Sequence, residues 1–144
     1  MPVAEQAQRE IVVFACVHNA GRSQMAAAFF NVVADPARAC AVSAGTRPGA
    51  SVDPEVVEAM REAGIDLGGA TPRLLTRELT AGAARLVTMG CGEECPVVPG
   101  VAREDWPLAD PKGRPLDEVR QIRDEIRQRV TALAYQYGWA ARPG

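Results

Sequence analysis

Apolar residues fall along this chain in short unbroken runs that alternate with stretches repeating every three or four positions. Ile11-Val12-Val13-Phe14-Ala15 is the first run, and its β-branched content without polar alternation predicts a strand buried on both faces. The run stops at Cys16, and the following VHNAGRS, with Asn, Gly and Ser, reads as a loop. QMAAAFFNVVA then predicts a helix whose first turn Ser23 is placed to cap. Ala41-Val42-Ser43-Ala44 predicts a second strand closed by Gly45. Asp53-Pro54 supplies an N-cap and a first-turn proline for a helix through Val56, Val57, Met60 and Ala63, ended by Gly64. A shorter helix is predicted from Thr71-Pro72 through Leu75 and Leu79, and a strand over Ala84–Met89 leads into Gly90-Cys91. Pro96, Pro99, Gly100, Pro107, Pro111, Gly113 and Pro115 mark a long loop with room for one short strand, the kind of loop that often carries function. Leu116, Val119, Ile122, Ile126, Val130 and Leu133 recur as the core face of an amphipathic helix, with Arg120, Asp124, Arg127 and Arg129 on its solvated side.

Strands alternating with helices predict an α/β domain with a parallel sheet covered by helices on both faces and a ligand crevice beyond the carboxyl ends of the strands. Cys16 and Cys91 each follow a predicted strand, so this topology can bring both to one edge. The 144 residues suffice for one domain with a real core, and neither a repeat nor a linker divides them. A single domain over 1–144 is expected, with 1–9 as a flexible N-terminal segment. Sixteen basic and eighteen acidic residues are mixed along the chain for a net charge of -2, which argues against a nucleic-acid or membrane partner. No apolar run approaches the length of a membrane span and the opening residues hold no signal-like apolar core, so a cytoplasmic location is expected. Cys16, Cys40, Cys91 and Cys95 are few for a secreted disulfide scaffold of this size. Cys40, just before a predicted strand, is expected as an inert buried thiol.

The densest chemical signal is Cys16-Val17-His18-Asn19-Ala20-Gly21-Arg22-Ser23, in which five residues separate the cysteine from the arginine. Backbone N–H groups of such a turn can point inward as a nest, and the following helix adds its unpaired N-terminal donors. Arg22 presents a planar fork to two oxygens of an oxyanion. The same positive potential favours a thiolate at Cys16, so substrate capture and nucleophile activation follow from one arrangement. Asn19 is suited to fixing an unusual backbone angle. Ser23 has two open roles, a hydrogen bond to the Cys16 sulfur or a helix cap. His18 is the only histidine, and because a stabilised thiolate needs no base it is read as structural or exposed. The Cys91-x3-Cys95 pair admits three readings: a redox pair, two inert buried thiols, or zinc ligands, which would need partners beyond His18 and Cys40. The Gly and Glu residues beside the pair favour a mobile solvated loop over core.

CVHNAGRSQMA resembles the phosphate-binding loop shared by the low-molecular-weight protein tyrosine phosphatases and the arsenate reductases built on the same fold. The resemblance continues through VSAGTRP, VDPEVVEAMREAGID, RLVTMGCGEECPVVPG, EDWPLADPKG and EVRQIRDEIRQRV, and TMGC with a following CP is similar to the reductases that use their own cysteines. It implies Cys16 as nucleophile, Arg22 as oxyanion clamp, Ser23 as thiolate support, Asp110 as general acid, and Cys91 and Cys95 as the redox pair of thioredoxin-coupled members. The implied reaction is reduction of arsenate to arsenite by a three-cysteine relay: Cys16 attacks arsenic, then Cys91 and Cys95 resolve in turn. No tightly bound cofactor is implied, and the reducing equivalents come from thioredoxin or a low-molecular-weight thiol.

Two departures from the family pattern stand out. Only Gly92-Glu93-Glu94 separates the last two cysteines, closer than in the best-known thioredoxin-coupled members, and Ala26-Ala27-Ala28 stands where some members carry an acidic potassium ligand, so no metal is expected. A phosphotyrosine phosphatase using Cys16, Arg22 and Asp110 remains the rival, although Lys112 stands where close phosphatase relatives place an aromatic residue. A non-catalytic oxyanion-binding protein leaves the paired cysteines without a purpose. Asp105 competes with Asp110, which has the further alternative of organising a turn before Pro111. Trp106 is either a shield at the mouth of the site or a packing residue.

Overall fold

Four strands among the described residues, β1 (Glu10–Cys16), β2 (Ala39–Gly45), β3 (Arg85–Thr88) and β4 (Ala102–Asp105), lie side by side in the order β2-β1-β3-β4. All three pairings are parallel, with Cys16 opposite Gly45, Ala15 opposite Thr88, and Thr88 opposite Asp105. The carboxyl ends of the strands therefore collect at one edge. The helices are α1 (Arg22–Val33), α2 (Pro54–Glu62), α3 (Arg77–Ala81) and α4 (Leu116–Gln136). None is long and apolar enough to cross a membrane. The structure, a computed structural model, describes residues 9–91, 95 and 98–141. The expected N-terminal segment apart from Arg9, the Gly92-Glu93-Glu94 spacer and Pro96 lie outside the described residues.

Period-two alternation in β1 divides the core. Val12, Phe14 and Cys16 join Phe30, Val56, Met60, Val119, Ile126 and Val130, which brings α1, α2 and α4 onto one face. Val13 and Ala15 join Leu86, Ala83, Leu79, Cys91 and Cys95 on the other, with α3 contributing Leu79. The sheet is thus covered on both faces, as an uninterrupted apolar strand demands.

Three expectations need correction. The segment after Thr71-Pro72 is not helical: Leu74 bridges Gly45 as an extra parallel rung, and the helix waits until Arg77, capped by the Thr76 side chain, which accepts from Leu79 N–H at 3.1 Å. Ser23 caps nothing, because α1 begins one residue before it. The outer face of α4 is only partly solvated. Arg120 reaches Glu62 on α2, and the guanidinium groups of Arg127 and Arg129 lie 5.6 and 5.9 Å from the ring centres of Phe29 and Trp106.

The pairing of α2 with α4 carries a pH dependence. Hydrogen bonds from Arg120, with further help from Arg123, push the Glu62 carboxyl down to about 2 from its ordinary 4.5. A depressed acid stabilises the fold while ionised, so its contribution is present above about pH 4.5 and is lost as pH falls toward 2. Glu62→Gln is expected to flatten the dependence of unfolding midpoint on pH in that window by lowering the neutral-pH midpoint toward the acid value, a small loss because the pair is exposed. Urea titrations between pH 2 and 6 measure this.

Candidate active site

β1 ends at Cys16 and α1 begins at Arg22, so the five-residue turn between them hangs from the carboxyl edge of the sheet. Its carbonyls are taken up by the segment after β2: Thr46, Arg47, Gly49 and Asp53 donate their backbone N–H groups to the oxygens of Cys16, Val17, His18 and Ala20 at 2.8 to 3.2 Å. In a trans peptide the next N–H points opposite to the carbonyl. The N–H groups of Val17, His18, Asn19 and Gly21 are therefore directed away from that segment, back into the loop. At the start of α1 the first intrahelical bond runs from Met25 N–H to Gly21 O, leaving the N–H groups of Arg22, Ser23 and Gln24 without intrahelical acceptors. A concentration of unpaired donors at a helix N-terminus is suited to holding an anion.

The side chains form a chain of orientation that ends on sulfur. Asn19 sits in the left-handed region at φ 51°, as its residue type permits. Gln24 Nε2 donates to both Asn19 oxygens, at 3.1 and 3.2 Å, and Arg73 N–H donates to Asn19 Oδ1 at 3.0 Å. So held, Asn19 Nδ2 donates to Ser23 Oγ at 2.7 Å. Ser23 Oγ lies 2.9 Å from Cys16 Sγ, and since the hydroxyl already accepts from Asn19, its own hydrogen is free to serve the sulfur. Of the two positions open for the Ser23 hydroxyl, it takes the one against the Cys16 sulfur and makes no cap bond.

Arg22 is buried, and its fork is fixed from three sides. Nη1 donates to Leu108 O at 3.1 Å, and Nη2 lies 3.7 Å from Asp110 Oδ2. The third side is Gly90, at φ 96°, where an added Cβ would collide with Nη1. Asp110 organises the turn, its Oδ1 accepting from Lys112 N–H at 3.0 Å, while Oδ2 faces Arg22. Asp105 is engaged elsewhere, with Thr88 and Arg103. Trp106 packs against Phe14 at 5.7 Å between ring centres and donates to Glu104, so it belongs to the core.

Between these groups lies a cleft of about 190 Å³ lined by Cys16, Arg22, Asp110 and Lys112 together with His18, Ala20, Gly21, Gly49, Ala50, Ser51 and Asp53. His18 is a partly buried wall residue. Asp53 was legible only as a helix cap, yet its side chain caps nothing and lines the cleft. Burial raises its carboxyl above the usual aspartate range, with Asp110 and Glu55 adding to the rise and Lys112 and His18 opposing it. Gln24 and Gly90 also escaped the sequence reading, because only the folded chain brings them against Asn19 and Arg22.

Cys91 and Cys95 are joined as a disulfide with Cα atoms 5.6 Å apart, within the reach that a bridge allows. The zinc reading of this pair falls with that bond. The expectation of a solvated site for the pair is also corrected: both sulfurs are buried against Val13, Ala15, Ala83 and Leu86. Cys91 Sγ lies 3.9 Å from the carbonyl oxygen of Ala15, one residue from Cys16. Cys40 is a half-buried free thiol inside β2, paired in register with Ile11.

A family model described as low molecular weight phosphotyrosine protein phosphatase matches residues 11–140. The chain is 40% identical over 126 residues to a putative arsenate reductase of Halobacterium salinarum, covering 83% of this chain and 87% of that protein. Among solved structures, a thioredoxin-dependent arsenate reductase of Corynebacterium glutamicum superposes with a TM-score of 0.79 at 32% identity, over 94% of this chain and 69% of the other. An arsenate reductase of Archaeoglobus fulgidus superposes with a TM-score of 0.74 at 30% identity, over 86% and 98%.

Proposed function

Because the chain belongs to the low molecular weight phosphotyrosine protein phosphatase family, among the arsenate reductases built on that fold, we propose that it reduces arsenate to arsenite by a three-cysteine relay recharged by a thioredoxin-type dithiol. The observation that carries this reading is the pairing, on adjacent strands at one sheet edge, of the Cys16–Arg22 anion loop with a formed Cys91–Cys95 bridge. A phosphatase needs the first and has no use for the second.

In the proposed sequence the backbone donors of Val17, His18, Asn19, Ala20 and Gly21, with Arg22 and Ser23, hold arsenate against Cys16. The Cys16 thiolate attacks arsenic, and Asp110 protonates the oxygen that leaves as water. Cys91 then attacks the Cys16 sulfur: the S–As bond breaks, its electron pair stays on arsenic, and arsenite departs as a Cys16–Cys91 disulfide forms. Thiolate exchange by Cys95 frees Cys16 and produces the Cys91–Cys95 bridge, which an external dithiol reduces. Cys91 packs on the Ala15 side of β1 and Cys16 on the other, so the second step includes a swing of Cys91 past the strand end.

The phosphatase rival uses the same loop and Asp110, but among the described residues no Phe, Tyr or Trp lines the cleft to grip a tyrosine ring. The test is arsenate-dependent NADPH oxidation with thioredoxin and its reductase. Cys91→Ser is expected to stop turnover after the first thiol adduct, and Cys95→Ser to halt it at a Cys16–Cys91 disulfide visible by peptide mass mapping. Full turnover in both variants refutes the relay. Activity of Cys95→Ser restored by glutathione or mycothiol would assign the last step to a low-molecular-weight thiol instead.

A further inference from the structure

We propose that Gln24 is a positioning residue for the Cys16 nucleophile: acting through Asn19 and Ser23, it sets the direction in which a line of hydrogen bonds runs, so that the last bond ends on sulfur. This rests on the reading of Cys16 as the attacking group. Gln24 is buried in the first turn of α1 and does not line the cleft that holds Cys16.

The direction follows from which groups can only give a hydrogen and which can only take one. The Asn19 backbone carbonyl can only accept, so the Gln24 atom facing it at 3.1 Å is the amide nitrogen, Nε2. The same nitrogen faces the Asn19 side chain at 3.2 Å, and the Arg73 backbone N–H, which can only donate, faces that side-chain atom at 3.0 Å. Two donors converge on one atom, which must then be the oxygen Oδ1. The Asn19 amide nitrogen is thereby turned to Ser23 Oγ at 2.7 Å, and as a pure donor it obliges the hydroxyl to accept. The Ser23 hydrogen is left for Cys16 Sγ, 2.9 Å away.

Gln24 holds the place where this line could reverse. Asn19 lies in the left-handed region at φ 51°, and Nε2 clasps its carbonyl and its side chain together. Without Nε2 the carbonyl of buried Asn19 loses that donor, and Oδ1 keeps the Arg73 N–H. Rotation of the Asn19 side-chain amide, opposed by two donors in the native site, is then opposed by one. The rotated amide presents Oδ1 to Ser23, whose hydrogen turns to it and away from sulfur. A hydrogen bond given to a thiolate favours the charged form, so its loss moves thiolate formation to higher pH.

The test is the pH dependence of Cys16 alkylation by iodoacetamide in the oxidised protein, with Cys91 and Cys95 bridged and the labelled peptide resolved from that of Cys40. Wild type, Gln24→Met, Ser23→Ala and the double variant are compared, with far-UV circular dichroism as the check of folding. Gln24→Met changes no charge, and Arg22, His18, Lys112, Asp53 and Asp110, the titratable and charged groups around the cleft, stay in every variant. It is expected to raise the pH of half-maximal alkylation by about one unit, and by less than about 0.3 unit when Ser23 is already alanine. An unmoved midpoint in Gln24→Met, or the same displacement with and without the Ser23 hydroxyl, overturns the proposal. Gln24→Ala, which suits a helix, decides by the same criteria should Gln24→Met not fold. Arsenate takes no part in the measurement: a wild type that fails to reduce arsenate refutes the functional reading, while the alkylation profiles still decide the role of Gln24.

Discussion

Cys16→Ser is expected to lower arsenate turnover by at least about a thousandfold while phosphate still binds. A serine hydroxyl stays protonated at neutral pH and is a far weaker nucleophile than a thiolate. Everything else that recognises the anion survives the exchange, since the donors come from the loop backbone, the first turn of α1 and the buried Arg22. Ser23, 2.9 Å from the sulfur, can equally bond to the new hydroxyl. Calorimetric titration with phosphate alongside the turnover assay separates capture from chemistry. Turnover within tenfold of wild type would mean that the reaction starts at another sulfur.

The second large effect is expected at a residue that touches no substrate. Gly90→Ala puts a methyl group where the Arg22 guanidinium now rests, in a backbone conformation that side chains rarely adopt. The left-handed strain costs about 1–2 kcal/mol. The displaced fork weighs more, because loss of one preorganised oxyanion donor lowers the rate about 10²–10³-fold. Assays well below the unfolding midpoint should show this loss in kcat/KM for arsenate with far-UV circular dichroism unchanged. An alanine variant with wild-type kcat/KM would show that Arg22 keeps its function without this seat.

The fold and the anion loop were legible because their signals are local. An uninterrupted β-branched run has to be covered on both faces, and the Val13 and Ala15 face is covered as the Val12 and Phe14 face is. Cysteine, glycine and arginine between a strand and a helix describe their own turn. The errors arose where distant contacts outrank local preference. Thr71-Pro72 begins like a helix, but Arg73 N–H is taken by Asn19 Oδ1 and Leu74 pairs with Gly45, so the segment extends. Asp53-Pro54 announces a cap correctly as backbone, and nothing nearby in sequence reveals that Asp110 stands close enough for its charge to be felt. Glycine and glutamate beside Cys91 read as solvated, whereas the sulfurs lie under side chains from β1, β3 and the turn after α3.

In the proposed relay, that burial of the Cys91–Cys95 bridge is expected to set the tempo of recycling. Thiol exchange needs in-line access to a sulfur, and a bridge covered by Val13, Ala15, Ala83 and Leu86 offers none until the packing opens. Under the proposed relay, recovery of the oxidised enzyme is expected to be limited by the protein's own opening, so that added reductant hastens it only up to a ceiling set by the apolar cover over the bridge.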